Sequence, residues 1–271
     1  MEKGGNGKVI AIEKYQLVQK EIAELREQLE EMILKRQRLI YDDGKDVEMD
    51  YMRQIGHLEY QLLQYRYQAM RARRQEELMQ QDFARTSEID REKIQQQLDN
   101  EFRTYRVSLA QWEAAFARAK KRSQEKGIDG EEREELYSVY RQIITKLHPE
   151  LNPNAFGHFS DILRQTAECF VKRDLDAMNR IAQAIADIPE ENQGNLAGGR
   201  LEQRRSQLKE SVANIRKEIE RAEKSFPYNQ KDLLQNPHAV KAVQRELRGQ
   251  MSYYKELCDI YTQRLRQFEG N

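Results

Sequence analysis

Residues 94–119 read IQQQLDNEFRTYRVSLAQWEAAFARA. Ile94, Leu98, Phe102, Tyr105, Leu109, Trp112, Phe116 and Ala119 recur in steps of four and three. That spacing lines apolar side chains along one side of an α-helix and is the heptad seam of helices that pack lengthwise. It predicts one helix over 88–124, roughly 55 Å long at about 1.5 Å per residue.

The same pattern extends in both directions. Upstream, Tyr15, Val18, Ile22, Leu25, Leu29, Met32 and Leu39 form a stripe interrupted by Arg36, and Tyr51, Ile55, Leu58, Leu62, Tyr65, Ala69 and Ala72 form another. DDGKD at 42–46 between them has turn composition, so the two helices are expected to fold back as an antiparallel hairpin. Downstream, Leu201, Leu208, Val212, Ile215, Ile219, Ala222 and Phe226 form a seam interrupted by Arg205. FPYNQ at 226–230 breaks it, Pro237 suits the start of a last helix, and Leu247 to Phe268 carry the final seam.

Composition agrees with this reading. The chain has 271 residues, 34% charged and 38% hydrophobic, with 46 basic and 46 acidic side chains. So few apolar residues favour elongated elements with narrow buried seams over one large core. A net charge of zero provides no field to steer the chain onto phosphates, so a general nucleic-acid binder is not expected. Two distant cysteines, Cys169 and Cys258, make no disulfide framework. With no secretory apolar core at the N-terminus and no run of membrane-spanning length, a soluble cytoplasmic protein is expected. Glycines at 127 and 130 and at 194, 198 and 199 divide the chain into residues 1–126, 127–188 and 199–271. The predicted fold is all-α: long antiparallel coiled-coil-like hairpins flanking a small central module. Such seams also serve as interfaces between copies, so a homo-oligomer is compatible with them.

The central module carries the most specific signal. Asp129 and Glu132 have capping-box spacing and four glutamates occupy the first turns, which favours a helix start there. Leu136, Tyr140, Ile143 and Leu147 supply its apolar face, and Pro149 must end it near His148. Asn152-Pro153-Asn154 is a turn, after which Phe159, Ile162, Leu163, Thr166 and Phe170 resume a helix and Leu175, Met178, Ala182 and Ile185 make a shorter one.

The string from Tyr140 through Arg141, Lys146, Leu147, His148, Pro149 and Glu150 to Asn152-Pro153 resembles the J-domain of DnaJ-type co-chaperones. The resemblance covers about residues 131–187 and includes the character of Phe159, Ile162 and Ala167 in the following helix. It implies docking on a DnaK-type chaperone and stimulation of its ATPase, with His148, Pro149 and Glu150 making the contact and Arg141 and Lys146 steering. Glu150 stands where the family has aspartate, one methylene longer. Residues 131–147 hold four acids against three bases, and the family's short first helix has no counterpart. The alternative that the same residues leave open is a structural coiled-coil scaffold whose J-like module no longer engages a chaperone.

No catalytic constellation accompanies this module. His57, His148, His158 and His238 are not at metal-ligand spacing, and no phosphate-cradling glycine loop or nucleophile elbow occurs. A non-enzymatic protein without cofactor or metal is expected. The clusters Arg66, Arg71, Arg73, Arg74 and Lys120, Lys121, Arg122 lie beside glutamates and read as solvated helix faces.

Overall fold

A computed structural model describes residues 5–86, 88–125, 127–153, 159–189 and 198–269. The boundary expected at Gly194, the turn residue Asn154 and His158 lie outside them. The described residues are predominantly helical and contain no strand, so the protein is all-α. They form two compact units. One comprises residues 1–45 and 125–229, the other 46–124 and 230–271. This grouping differs from the three consecutive segments expected from the glycine clusters, because the long helices take their main partners from across the chain.

In the first unit α1 (Gly5–Arg38) packs along α9 (Gly198–Lys224), and α6 (Gly130–Leu147), α7 (Ser160–Lys172) and α8 (Leu175–Ala184) complete the core. Val18, Ile22, Leu29 and Ile33 of α1 are buried together with Leu201, Leu208, Val212, Ile215 and Ile219 of α9. The polar interruptions of both seams become cross-links. Arg205 pairs with Glu21 at 3.1 Å, and Arg36 pairs with Glu218 at 2.7 Å. Lys35 adds Glu223 at 2.8 Å. Rising numbers meet rising numbers, so α1 and α9 run parallel. A short turn reverses chain direction, so parallel partners cannot be sequence neighbours.

DDGKD is accordingly not a turn. Leu39–Asp43 is a π-helical segment that continues directly into α2 (Gly44–Tyr51), and the expected hairpin does not form. Gly44 has a steric reason: a Cβ there would stand 2.2 Å from the Leu39 carbonyl oxygen. The widened turn brings that carbonyl inward, and only glycine leaves room for it. Gly44→Ala is expected to cost about 1–3 kcal/mol by forcing the segment apart. An unchanged thermal midpoint would contradict this account of the π-segment.

In the second unit α3 (His57–Thr86) packs along α11 (Pro237–Glu269). Gln244 Nε2 donates to the Gln54 carbonyl at 2.7 Å, Cys258 Sγ to the Tyr65 carbonyl at 3.3 Å, and Arg264 pairs with Glu76 at 3.6 Å. This pair is parallel too. The C-terminal hairpin expected over 199–271 is therefore replaced by two helices that each take a partner from the N-terminal part. Pro237 does open α11, with Asn236 Oδ1 accepting the amides of His238 and Ala239.

The helix expected over 88–124 is divided at Phe102 into α4 (Arg91–Glu101) and α5 (Arg103–Gln124). Asp90 caps α4 by accepting the Lys93 amide, and Arg106 donates to the Asp99 carbonyl at 2.9 Å near the break. A guanidinium there takes the place of a ladder amide, so the interruption leaves the carbonyl satisfied. Trp112 closes over Gly56, where a Cβ would meet its ring at 3.2 Å. Arg71 and Arg74 bind Asp99 and Glu101 of α4, and buried Arg122 binds Asp46 at 2.8 Å. Arg71, Arg73, Arg74 and Arg122 of the two clusters are thus each paired with a carboxylate. The remaining short helix, α10 (Lys231–Leu234), packs against α11.

Candidate functional site

The corner between α6 and α7 lies in the first unit. Asp129 Oδ1 accepts the Glu132 amide at 2.8 Å and starts α6. Leu136, Tyr137, Tyr140, Ile143, Ile144 and Leu147 are buried along it. The helix ends at His148, whose ψ of 129° is extended, as a residue before proline requires. The chain then turns tightly, with the amides of Leu151 and Asn152 donating to the His148 carbonyl at 3.0 and 2.7 Å. Leu151 is fully buried. Asn152, also buried, donates its side-chain amide to the Lys146 carbonyl at 3.0 Å, which satisfies a helix-end carbonyl with no partner within α6.

α7 returns across α6 through Phe170, whose ring centroid lies 4.8 Å from Tyr140 and 5.9 Å from Tyr137. Its end is a Schellman motif: Asp174 N–H donates to the Cys169 carbonyl and Arg173 N–H to that of Phe170. The left-handed position usually held by glycine is Arg173, with φ 56°. A side chain there costs about 1–2 kcal/mol. Here it aims the guanidinium at Asp42, whose Oδ1 receives Arg173 Nε at 2.9 Å. Tyr137 Oη donates to Asp42 Oδ2 at 2.7 Å, and Arg38 lies 4.2 Å over the Tyr137 ring. Asp42 is 1% exposed. Burial and the adjacent carboxylate push the Tyr137 hydroxyl well above its ordinary range, which keeps it a donor.

Of the five residues expected to meet a chaperone, His148, Pro149 and Glu150 form the corner and Arg141 and Lys146 lie on α6 before it; all but Pro149 make hydrogen bonds or ion pairs within the chain. Arg141 pairs with Glu30 of α1. Lys146 Nζ donates to the carbonyls of Ile185, at 3.3 Å, and Ala186. Both line an open groove of about 460 Å³ between α6 and α8. Glu150 and Leu151 offer their carbonyls to Arg204 Nη2 of α9 at 2.9 and 3.2 Å, and Arg26 of α1 also donates to Leu151. Pro149 is half-buried. Glu150 Oε2 is buried without a hydrogen-bond partner among the described residues. Burial raises the Glu150 carboxyl above its ordinary range, offset in part by Arg36, the Ser211 hydroxyl and Arg204. His148 Nδ1 accepts the Glu150 amide at 3.3 Å, and burial together with Arg36 pushes the imidazole down to about 4.

The residues that hold this module in place carry no local signal in the sequence. Arg26 and Arg204 carry no motif, Asp42 lay within apparent turn chemistry, and Arg173 was one charge among several. Among the described residues no group of three or more His, Cys, Asp or Glu side chains is placed to hold a metal ion, and no helix is long and apolar enough to cross a membrane.

No protein-family model matches the chain, and neither a curated protein nor a solved structure matches it.

Proposed function

We propose that this chain is a non-enzymatic helical scaffold in which the J-like module serves as an internal joint between α1 and α9, not as a chaperone-docking loop. The observation that carries the reading is the seating of the Glu150 and Leu151 carbonyls on Arg204 of α9. A loop that docks on another protein needs its backbone and acid free at the surface. This one lends its carbonyls to arginines of neighbouring helices and buries one oxygen of its carboxylate. Arg141 and Lys146, the steering cations of the J-domain resemblance, support the reading by their contacts with Glu30 and with the end of α8. The scaffold's work is presentation of long charged helix faces to partner proteins.

The experiment is stimulation of a DnaK-type ATPase by the full chain. The expected result is no stimulation by the wild type and none by His148→Gln. Stimulation that His148→Gln abolishes would overturn the scaffold reading and establish the second one, a DnaJ-like co-chaperone. The order of Tyr140, Leu147, His148, Pro149 and Asn152 across a helix–corner–helix favours that second reading.

A further inference from the structure

We propose that the His148–Asn152 corner is an acid-released latch, opened when a proton on His148 Nδ1 displaces the Glu150 N–H and adds a cation beside the arginines of α1 and α9. The inference is separate from the scaffold reading and stands on the corner's own geometry.

In the closed corner Nδ1 is an acceptor, receiving the Glu150 amide at 3.3 Å. An imidazolium has a hydrogen on both ring nitrogens and accepts nothing. Protonation therefore replaces an attractive contact with two hydrogens facing each other. The charged surroundings oppose it as well. α1 contributes Arg26 on the Leu151 carbonyl and Arg36, whose charge bears on the ring. α9 contributes Arg204 on the two corner carbonyls and Glu218, which is already paired with Arg36. α6 contributes Tyr140, which burial pushes up to about 12 and keeps neutral. The corner contributes Glu150. Arg36 is the cation whose charge bears on the ring, Glu218 is paired with it, and Glu150, whose Oε2 has no hydrogen-bond partner among the described residues, is the carboxylate that attracts an imidazolium and so limits the release.

The direction of the pH dependence follows. The closed form holds the imidazole at about 4, whereas an opened corner binds the proton near the ordinary 6.5. Closure is complete above the ordinary value and is lost as pH falls toward the depressed one. Glu150 works in the opposite sense. Its closed-state carboxyl is raised, so it favours closure as pH falls, and it subtracts from the release. His148 alone sets a ceiling of about twentyfold in opening between about pH 7 and about pH 5.

The test is amide hydrogen exchange in the full chain, corrected for the intrinsic pH dependence of exchange. Leu151 and Asn152 are expected to lose protection about fivefold to twentyfold between about pH 7 and about pH 5. Glu150→Gln, which removes the opposing titration, should reach the upper end. His148→Asn keeps an acceptor near the Nδ1 position but cannot be charged, and should show no such loss. Unchanged wild-type protection, or an equal loss in His148→Asn, overturns the latch. Should His148→Asn fail to fold, the wild-type ring still decides. Its nitrogen resonances are expected to show a bare Nδ1 and a titration well below the ordinary value. Titration near 6.5 overturns the proposal.

Discussion

Replacing Asp42 by alanine is expected to cost the first unit about 3–5 kcal/mol, the range for breaking a buried ion pair and leaving its partner charged. Asp42 is 1% exposed, the Arg173 side chain is 8% exposed, and Tyr137 donates to the same carboxylate. Removing the acid strands a guanidinium held by a left-handed backbone and a hydroxyl that has lost its acceptor. The π-segment at Leu39–Asp43 would also lose its tie to the end of α7. The loss should appear as faster amide exchange at Ile143 and Ile144, deep in α6. Adding Arg173→Met to Asp42→Ala is expected to restore part of the stability, because it removes the stranded guanidinium although the Tyr137 hydroxyl still lacks this acceptor. A cost below about 1 kcal/mol for Asp42→Ala would show that the node is surface-like and screened.

Phe170→Ala is the second large effect, at about 3–5 kcal/mol, the usual cost of a phenylalanine-sized cavity in a packed core. Phe170 is 1% exposed and is the side chain by which α7 stacks on Tyr137 and packs at a tilt against Tyr140. Its loss empties the space between the two helices of the J-like module. Protection of α7 and α8 amides should fall with it, and Phe170→Leu, which leaves a smaller gap, should cost less. A full-strength α7 in Phe170→Ala would mean that the module is held from outside, by Asp42 and Arg204, and not by its own core.

Local signals are legible in the sequence because they act locally. Pro149 stops α6 through a clash with the residue before it, and Asp129 caps α6 through its own side chain. Apolar spacing marked the buried faces of α1 and α9 for the same reason. Partner choice was not legible. A seam states which face is buried but not what covers it, and the parallel pairings depend on charges far apart in sequence, Glu21 with Arg205 and Arg36 with Glu218. Those arginines looked like flaws in the seams.

Turn chemistry misled at residues 42–46. Asp42 is buried against a charge 131 residues away, and Gly44 makes room for a π-turn carbonyl and not for a chain reversal. At the corner the motif gave the helix end and the bend. It gave no sign that Arg26 and Arg204 would be waiting for the carbonyls of the bend.

The most direct measurement of the central claim is amide exchange at Leu151 and Asn152 in the full chain at neutral pH. The account predicts protection comparable to that of Ile144 inside α6, since both amides are bonded to the His148 carbonyl and the segment is seated on α1 and α9. Exchange at close to the rate of an unstructured peptide, with α6 still protected, would contradict it and leave the corner open for a partner.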